Sequence, residues 1–348
     1  MRFATYNVEW FNALFDDDGA LLDDGAVSAR YDVTRRDQLA ALGIVFTALD
    51  ADAILVVEAP DDSRHRQTVP ALENFAAAVG IRARKALLGF ANDTQQELAL
   101  LYDPDVVSCV HDPKGLPTGQ KGSPDAPRFD GVFRIDLDID ATEDKVRFSK
   151  PPLEVAMQTS GGRDVRLIGA HLKSKAPHGA KDRDEAMRIG ISNRRKQQAQ
   201  AVWLRQRVEA HLNGGESLIL LGDLNDGPGL DTYEALFGRS SVEIIMGDGG
   251  ESAHRLHDPH AKRALTRRIG PVATSARFYI KDEDRYLQAL LDYIMVSPDL
   301  HARSPKWRIW HPFDDPVCWT TPELREALIT ASDHFPVTMD IDLDDMLS

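Results

Sequence analysis

"LILLGDLNDGPG", residues 218–229, decides how the chain is read. Its first four residues form an apolar run suited to a strand covered on both faces, where side chains need not alternate with polar ones. Asp223, Asn225 and Asp226 then follow in close succession, ahead of Gly227 and Pro228, residues that punctuate turns. Taken alone, "GDLND" is an Asx turn closing a strand. Setting carboxylates against the end of a core strand needs a stronger reason, and the rest of the sequence supplies one by repeating the pattern.

Comparable apolar runs, rich in β-branched residues and leucine, predict strands over 2–8 ("RFATYNV"), 52–59 ("DAILVVEA"), 98–103, 164–172, 292–297 and 335–343, with 217–224 as the strand of the opening motif. Between them, 34–49 reads as a helix with Leu39, Leu42, Val45, Phe46 and Leu49 facing inward and Thr34 as N-cap. A second helix is expected over about 192–212, carrying Ala199, Val202, Trp203, Val208 and Leu212. This alternation predicts an α/β fold. The segments at about 111–131 and 239–285, rich in Pro, Gly and charge, read as surface loop insertions. No repeat and no long linker divides the chain, so residues 1–348 are expected to form a single domain.

The polar residues sit at telling places on these runs. Asn7, Glu58, His171 and Asp223 fall at carboxyl ends, whereas Asp292 and the Asp333, His334 pair fall just before amino ends. If the first four strands run toward one rim and the last two run away from it, all these groups meet at that rim, and the sheets must be mixed. Two carboxylates 4 Å apart repel by about 4 kcal/mol at an effective dielectric of 20, so Glu58, Asp223, Asp292 and Asp333 require a cation or shared protons. Carboxylate and amide oxygens suit a hard ion, Mg²⁺ with Mn²⁺ as substitute. Zinc fits less well, since neither HExxH nor CxxC occurs.

Seven strings, "TYNVEW", "VVEA", "ELALLYD", "GAHLKSK", "GDLND", "LDYIMVS" and "SDHFPV", resemble in order the motif series of the endonuclease/exonuclease/phosphatase superfamily, the deoxyribonuclease I-like fold, over nearly the whole chain. The resemblance implies a four-layer α-β-β-α sandwich of two mixed β-sheets flanked by helices, with metal-dependent phosphoester hydrolysis at one edge. It further implies that Glu58 is the principal metal ligand, with Asn7 beside it and Asp333 as a further ligand. Asp223 then orients or deprotonates the attacking water, Asn225 contacts the phosphate, and His334 binds phosphate or acts as base with Asp292 fixing its ring. His171, paired with Glu97, is expected to stabilise the transition state or protonate the leaving oxygen. The His171 and Glu97 pair and "HLKSK" look like the nuclease branch rather than the abasic-site repair branch. Val57 departs from the pattern, standing where many members carry glutamine.

The expected activity is therefore Mg²⁺-dependent cleavage of DNA or RNA phosphodiester bonds. The alternative keeps the chemistry on a small phosphoester, such as an inositol phosphate, a phospholipid headgroup or a nucleotide. A silent scaffold domain is disfavoured because no principal motif residue is missing. With 41 basic against 55 acidic residues, the formal charge of -14 argues against a broad basic face that grips nucleic acid by charge alone, although a metal site can still recruit phosphate locally. Lys173 and Lys175 are candidates for phosphate contact, whereas Arg194, Arg195 and Lys196 read as a solvated helical face, and His254, His257 and His260 as surface residues. The composition, 43% hydrophobic and 28% charged, is that of a globular protein with no apolar stretch long enough to span a membrane. The first fifteen residues carry no secretory signal, which predicts a cytoplasmic location, and nothing implies an obligate protein partner. Cys109 and Cys318 are expected as small buried apolar residues rather than a disulfide.

Overall fold

The computed structural model describes residues 1–136, 143–177, 179–227, 238–266, 272–280 and 284–344. One sheet has six strands, β1 (Arg2–Asn7), β2 (Ala53–Ala59), β3 (Lys85–Leu88), β4 (Glu97–Tyr102), β14 (Lys306–Ile309) and β15 (Val337–Asp340), in the order β14-β15-β1-β2-β4-β3. The other has five, β5 (Val107–His111), β8 (Leu153–Thr159), β9 (Asp164–His171), β10 (Leu218–Asp223) and β13 (Asp292–Val296), in the order β13-β10-β9-β8-β5. Two short antiparallel pairs, β6 (Phe133–Ile135) with β7 (Asp144–Val146) and β11 (Ala276–Ile280) with β12 (Arg285–Ala289), lie outside the sheets.

Alternation of side chains across each strand builds the layers. On β1, Phe3 faces the other sheet while Ala4 and Tyr6 face helices, and on β10 Ile219 and Leu221 face the first sheet while Leu218 and Leu220 face helices. Both faces are apolar because both are covered. The helices α1 (Arg35–Leu49) and α2 (Thr68–Val79), with the helix Pro322–Ala331, cover the six-stranded sheet, and α3 (Arg183–Asn213) with the helix Ser241–Met246 covers the five-stranded one. This is the four-layer α-β-β-α sandwich. Thr34 caps α1 by accepting the Asp37 amide at 3.2 Å, and Leu42, Val45, Phe46 and Leu49 are buried beneath it.

Strand directions match the convergence read from the polar residues. β1 and β2 are parallel, β9 and β10 are parallel, β13 runs antiparallel to β10, and β15 antiparallel to β1. The register places Asp223 beside His171 on one side and Asp292 on the other. Gly222, with φ +135°, lets β10 approach its neighbour, since a Cβ there would lie 2.0 Å from the Ala170 carbonyl oxygen.

Several expectations change. β3, β5, β8 and β14 and the helices Thr68–Val79, Pro316–Thr320 and Pro322–Ala331 were not legible as regular elements, and α3 begins at Arg183 rather than near 192. The 239–285 segment is not simply surface loop: it contains the helices Ser241–Met246 and Pro259–Thr266 and strand β11, with Val242, Ile245 and Met246 buried on α3's layer, although its residues 267–271 and 281–283 lie outside the described residues. Residues 112–131 hold no helix or strand, yet Phe129 inserts against Trp203 with ring centroids 5.4 Å apart. Pro228 and Gly229 of the opening motif also lie outside the described residues. Both cysteines are free and buried, Cys109 between the sheets and Cys318 beneath the helical layer. Among the described residues no helix is long and apolar enough to cross a membrane.

Candidate active site

Asp223 sits at the end of β10, almost fully buried, because the strand carries it to the rim where the two sheets meet. Asn7, at the end of β1, donates its Nδ2 to Asp223 Oδ2 at 3.0 Å. The turn that follows β10 places Asn225 at φ +49°, a conformation Asn tolerates, so that its backbone amide reaches Asp223 Oδ1 at 2.7 Å and its Nδ2 reaches Oδ2 at 3.2 Å. Burial pushes the Asp223 carboxyl up to about 7, against the pull of His334 and these amides and with the help of the Asp292 charge.

Two imidazoles flank this carboxylate in opposite states. His334 Nδ1 lies 2.8 Å from Asp292 Oδ2, and its Nε2 faces Asp223 Oδ2 at 3.9 Å. Burial alone would lower its pKa, but the Asp292 carboxylate, joined by Asp223 and Asp333, holds it well above the usual histidine value, so the ring is an imidazolium. Ser275 Oγ donates to the same Asp292 oxygen at 2.8 Å and receives the Asp292 amide at 2.9 Å, fixing the carboxylate. His171, by contrast, is held well below the usual value by burial and by the charges of Lys150, His334 and Lys173. Its 3.6 Å approach to Asp223 is therefore that of a neutral ring, not an ion pair.

Glu58 reaches the rim by a different route. The β2–β4 ladder slips between Val57 and Ala59, and Glu58 occupies the slip at φ +63°, a strained conformation for a non-glycine residue. Val57 itself points into the core between the sheets, and the amide that meets Glu58 comes from Gln96, whose Nε2 donates to Glu58 Oε2 at 2.6 Å. Lys150 hydrogen-bonds the other end of that Gln96 amide and lies 3.3 Å from His171 Nδ1, so one ammonium links the glutamate to the histidine. Glu58 is raised in pKa chiefly by burial, with Asp333 adding to the shift and Lys150 and His334 opposing it, which puts all four charges in one field.

The structure thus brings Asn7, His171, Asp223, Asn225, Asp292 and His334 into one contact network, with Glu58 and Asp333 beside it. Glu97 is the departure. It is buried, but its oxygens accept from the Asn92 amide at 3.2 Å and the Asn92 side chain at 2.5 Å, and the group that meets His171 Nδ1 is Lys150 instead. Burial raises the Glu97 carboxyl to about 7. Lys175 is also committed elsewhere, to Asp226 Oδ1 at 2.7 Å. Arg194 is no solvated helical residue: it is 2% exposed and bonds Asp226 Oδ2 at 2.7 Å. Asp226, which also accepts the Ser241 amide at 2.6 Å, is therefore a structural tie between α3 and the next helix rather than part of the reacting set. His254, His257 and His260 are half-buried rather than exposed, and His257 stacks on His301 at 4.1 Å.

Reading the sequence missed Lys150, Gln96 and Ser275. Lys150 stands in "SKPP", whose prolines read as loop, and Ser275 is a lone small polar residue, so neither carried a local signal. A divalent cation fits what is present. Asn7 Oδ1 and Asp292 Oδ1 are buried acceptors without a hydrogen-bond partner, an arrangement that costs about 1–3 kcal/mol per atom when left unmet. Carboxylate oxygens of Asp223 and Asp292 lie within 4.8 Å of each other, and the surrounding donor set is oxygen-rich, as hard ions require.

No curated protein is similar enough in sequence to match. Solved structures that match include an AP endonuclease from Archaeoglobus fulgidus, 14% identical with a TM-score of 0.48 over 99% of this chain and 100% of that one. A mannosyl-6-phosphatase from Bacteroides thetaiotaomicron is 16% identical, with a TM-score of 0.48 over 99% of this chain and 100% of that one. The human Nocturnin catalytic domain with a bound sulfate is 13% identical, with a TM-score of 0.45 over 98% of this chain and 94% of that one. The sequence profile described as "Endonuclease/Exonuclease/phosphatase family" matches residues 4–334, a span that runs from β1 to His334 and so takes in the whole convergent rim: the chain belongs to that family of metal-dependent phosphoester hydrolases.

Proposed function

We propose that the protein is a Mg²⁺-dependent phosphodiesterase that cleaves polynucleotides, and that residues 1–348 act as one unit because the site draws on strands of both sheets. One observation carries the reading: a buried carboxylate, Asp223, accepts from the amides of Asn7 and Asn225 and lies between two imidazoles, with His171 Nε2 at 3.6 Å and His334 Nε2 at 3.9 Å from its Oδ2. In-line attack at phosphorus needs a base for water, positive charge for the equatorial oxygens and a proton for the leaving oxygen.

Asp223, with its pKa raised to about 7, is matched to take a proton from water near neutral pH. His334 is an imidazolium poised by Asp292, so it serves as phosphate ligand and proton donor rather than as base. His171, neutral and backed by Lys150 on Nδ1, presents Nε2 toward the same space as a hydrogen-bond donor to a phosphoryl oxygen. Asn225 adds a neutral amide to the phosphate. Glu58, Asn7 and Asp333 would hold Mg²⁺, which when bound neutralises phosphoryl oxygens as they gain charge. Glu97 keeps a supporting place through Asn92 and the 92–96 loop that carries Gln96 to Glu58.

The test is incubation of the purified protein with plasmid, single-stranded DNA, RNA and a panel of small phosphoesters, each with Mg²⁺, with Mn²⁺ and with EDTA. Metal-dependent cleavage of a polynucleotide is expected. Hydrolysis of small phosphoesters with every polymer left intact transfers the activity to the alternative substrate class, and no hydrolysis at all removes the enzymatic reading.

A further inference from the structure

A groove of about 650 Å³ is lined by Thr94, Arg147, Ser149, Lys173, Lys196 and Gln200, among others, close to Lys150 and His171 in the chain. Its charge is opposite to that of the chain. Against a formal total of -14, four cationic side chains, Lys145, Arg147, Lys173 and Lys196, border this one space. Of its two acidic residues, Asp130 is already engaged by Arg128, at 2.6 and 2.7 Å, which leaves Asp93 at the edge. Lys145, Lys173 and Lys196 have no ion-pair partner among the described residues, unlike Lys175 and Arg194 close by, which are bound to Asp226. Unpaired cations gathered in a concave surface of an acidic protein point to an anionic ligand.

The lining adjoins the reacting groups along the chain. Ser149 and Pro151 in its lining flank Lys150, and Lys173, two residues beyond His171, is close enough for its charge to act on both Lys150 and His171. The one aromatic residue in the lining, Phe148, is 7% exposed and packs inward on Trp203, so it offers no face for stacking a base. The lining is thus built for repeated charge rather than for base identity.

We propose that this groove holds the sugar–phosphate backbone on one side of the scissile bond, with Lys145, Lys173 and Lys196 contacting successive phosphates of a single strand. The proposal rests on the polynucleotide reading of the active site and adds to it the path of the strand and a sequence-tolerant mode of recognition.

The experiment measures binding without cleavage: a fluorescein-labelled single-stranded DNA of about 12 nucleotides, within the span such grooves cover, is titrated with the 348-residue protein in EDTA at several salt concentrations. Each phosphate contact on a single strand contributes about 0.7 to the slope of log affinity against log salt, so Lys145→Gln with Lys196→Gln is expected to weaken binding and flatten the slope by about 1.4. Lys306→Gln, on β14 and outside the groove, is expected to leave the slope unchanged. An unchanged slope in the double variant, or no binding by the wild type, overturns the proposal. Cleavage of the same strand is then scored separately with Mg²⁺: binding with the predicted slope change but no cleavage keeps the groove and removes the nuclease reading, while cleavage with an unchanged slope does the reverse.

Discussion

Asn7 and Asp223, 216 positions apart and on different sheets, share a buried hydrogen bond of 3.0 Å. The two sheets are thereby joined at the rim by the same groups that are proposed to react. Asp223 is also ill at ease there, since burial lifts its pKa from an ordinary 3.8 to about 7.

The sign of that shift gives the first prediction. An acid whose folded pKa lies above its unfolded value destabilises the fold increasingly as pH rises from the unfolded value toward the folded one. Asp223→Asn, which keeps shape and loses charge, is expected to raise the unfolding temperature at pH 8 in EDTA while lowering kcat by about 10²–10⁴. Thermal melts paired with turnover measurements check it, and a variant that is both active and less stable contradicts the assignment of Asp223 as base.

Gly222 supports the same residue from behind. With φ +135° and the Ala170 carbonyl oxygen only 2.0 Å from where a Cβ would stand, Gly222→Ala forces β10 away from β9. A loss of at least about 3 kcal/mol in denaturant unfolding is expected. A loss under 1 kcal/mol means that the close approach is not obligatory.

Much of this is legible in the sequence. Polar residues at the carboxyl ends of the runs ending near Asn7, Glu58, His171 and Asp223, and at the amino ends of those beginning near Asp292 and His334, set the strand directions. The helix at 34–49 showed its cap and its stripe. What escaped depends on long-range contacts. β8 carries Glu154 as its second residue, which breaks the apolar pattern, yet Glu154 is buried against Arg207 at 2.8 Å. The first turns of α3 mix Ala186, Met187, Ile189 and Ile191 with charged residues and bury none before Asn193, so they show no stripe, and the pairing of Glu97 with His171 rested on the family resemblance, since the loop bringing Asn92 onto Glu97 leaves no periodic trace. The 239–285 segment did carry a helical stripe in Val242, Ile245 and Met246, hidden among Gly and charge.

Asp226 separates structure from chemistry within one motif. Burial opposes its charge, but Lys175 and Arg194 outweigh it and hold its pKa below the usual carboxylate value. Asp226→Ala leaves Arg194, 2% exposed, without that counter-charge, and a loss of about 3–5 kcal/mol is expected. Breaking the exposed Arg36 pair with Asp23 by Arg36→Ala is expected to cost less than about 1 kcal/mol. Equal effects of the two substitutions contradict the structural role of Asp226.

His257 predicts an acid limb of stability. Burial and the neighbouring His301 lower its pKa from 6.5 to about 4. For a base with a depressed folded pKa, the unfolded chain takes up the proton first, so the contribution is intact above pH 6.5 and is lost as pH falls toward 4. His257→Phe keeps a ring against His301 and is expected to reduce the fall in unfolding free energy between those pH values. An identical pH dependence in the two proteins rejects the assignment.

The most direct test of the account is titration of the EDTA-treated protein with Mn²⁺ by calorimetry, in the wild type and in Glu58→Gln. Strand ends gathered around orphaned oxygens of Asn7 and Asp292 predict saturable binding by the wild type and at least tenfold weaker binding by the variant. Absence of binding, or equal affinity in both proteins, contradicts it.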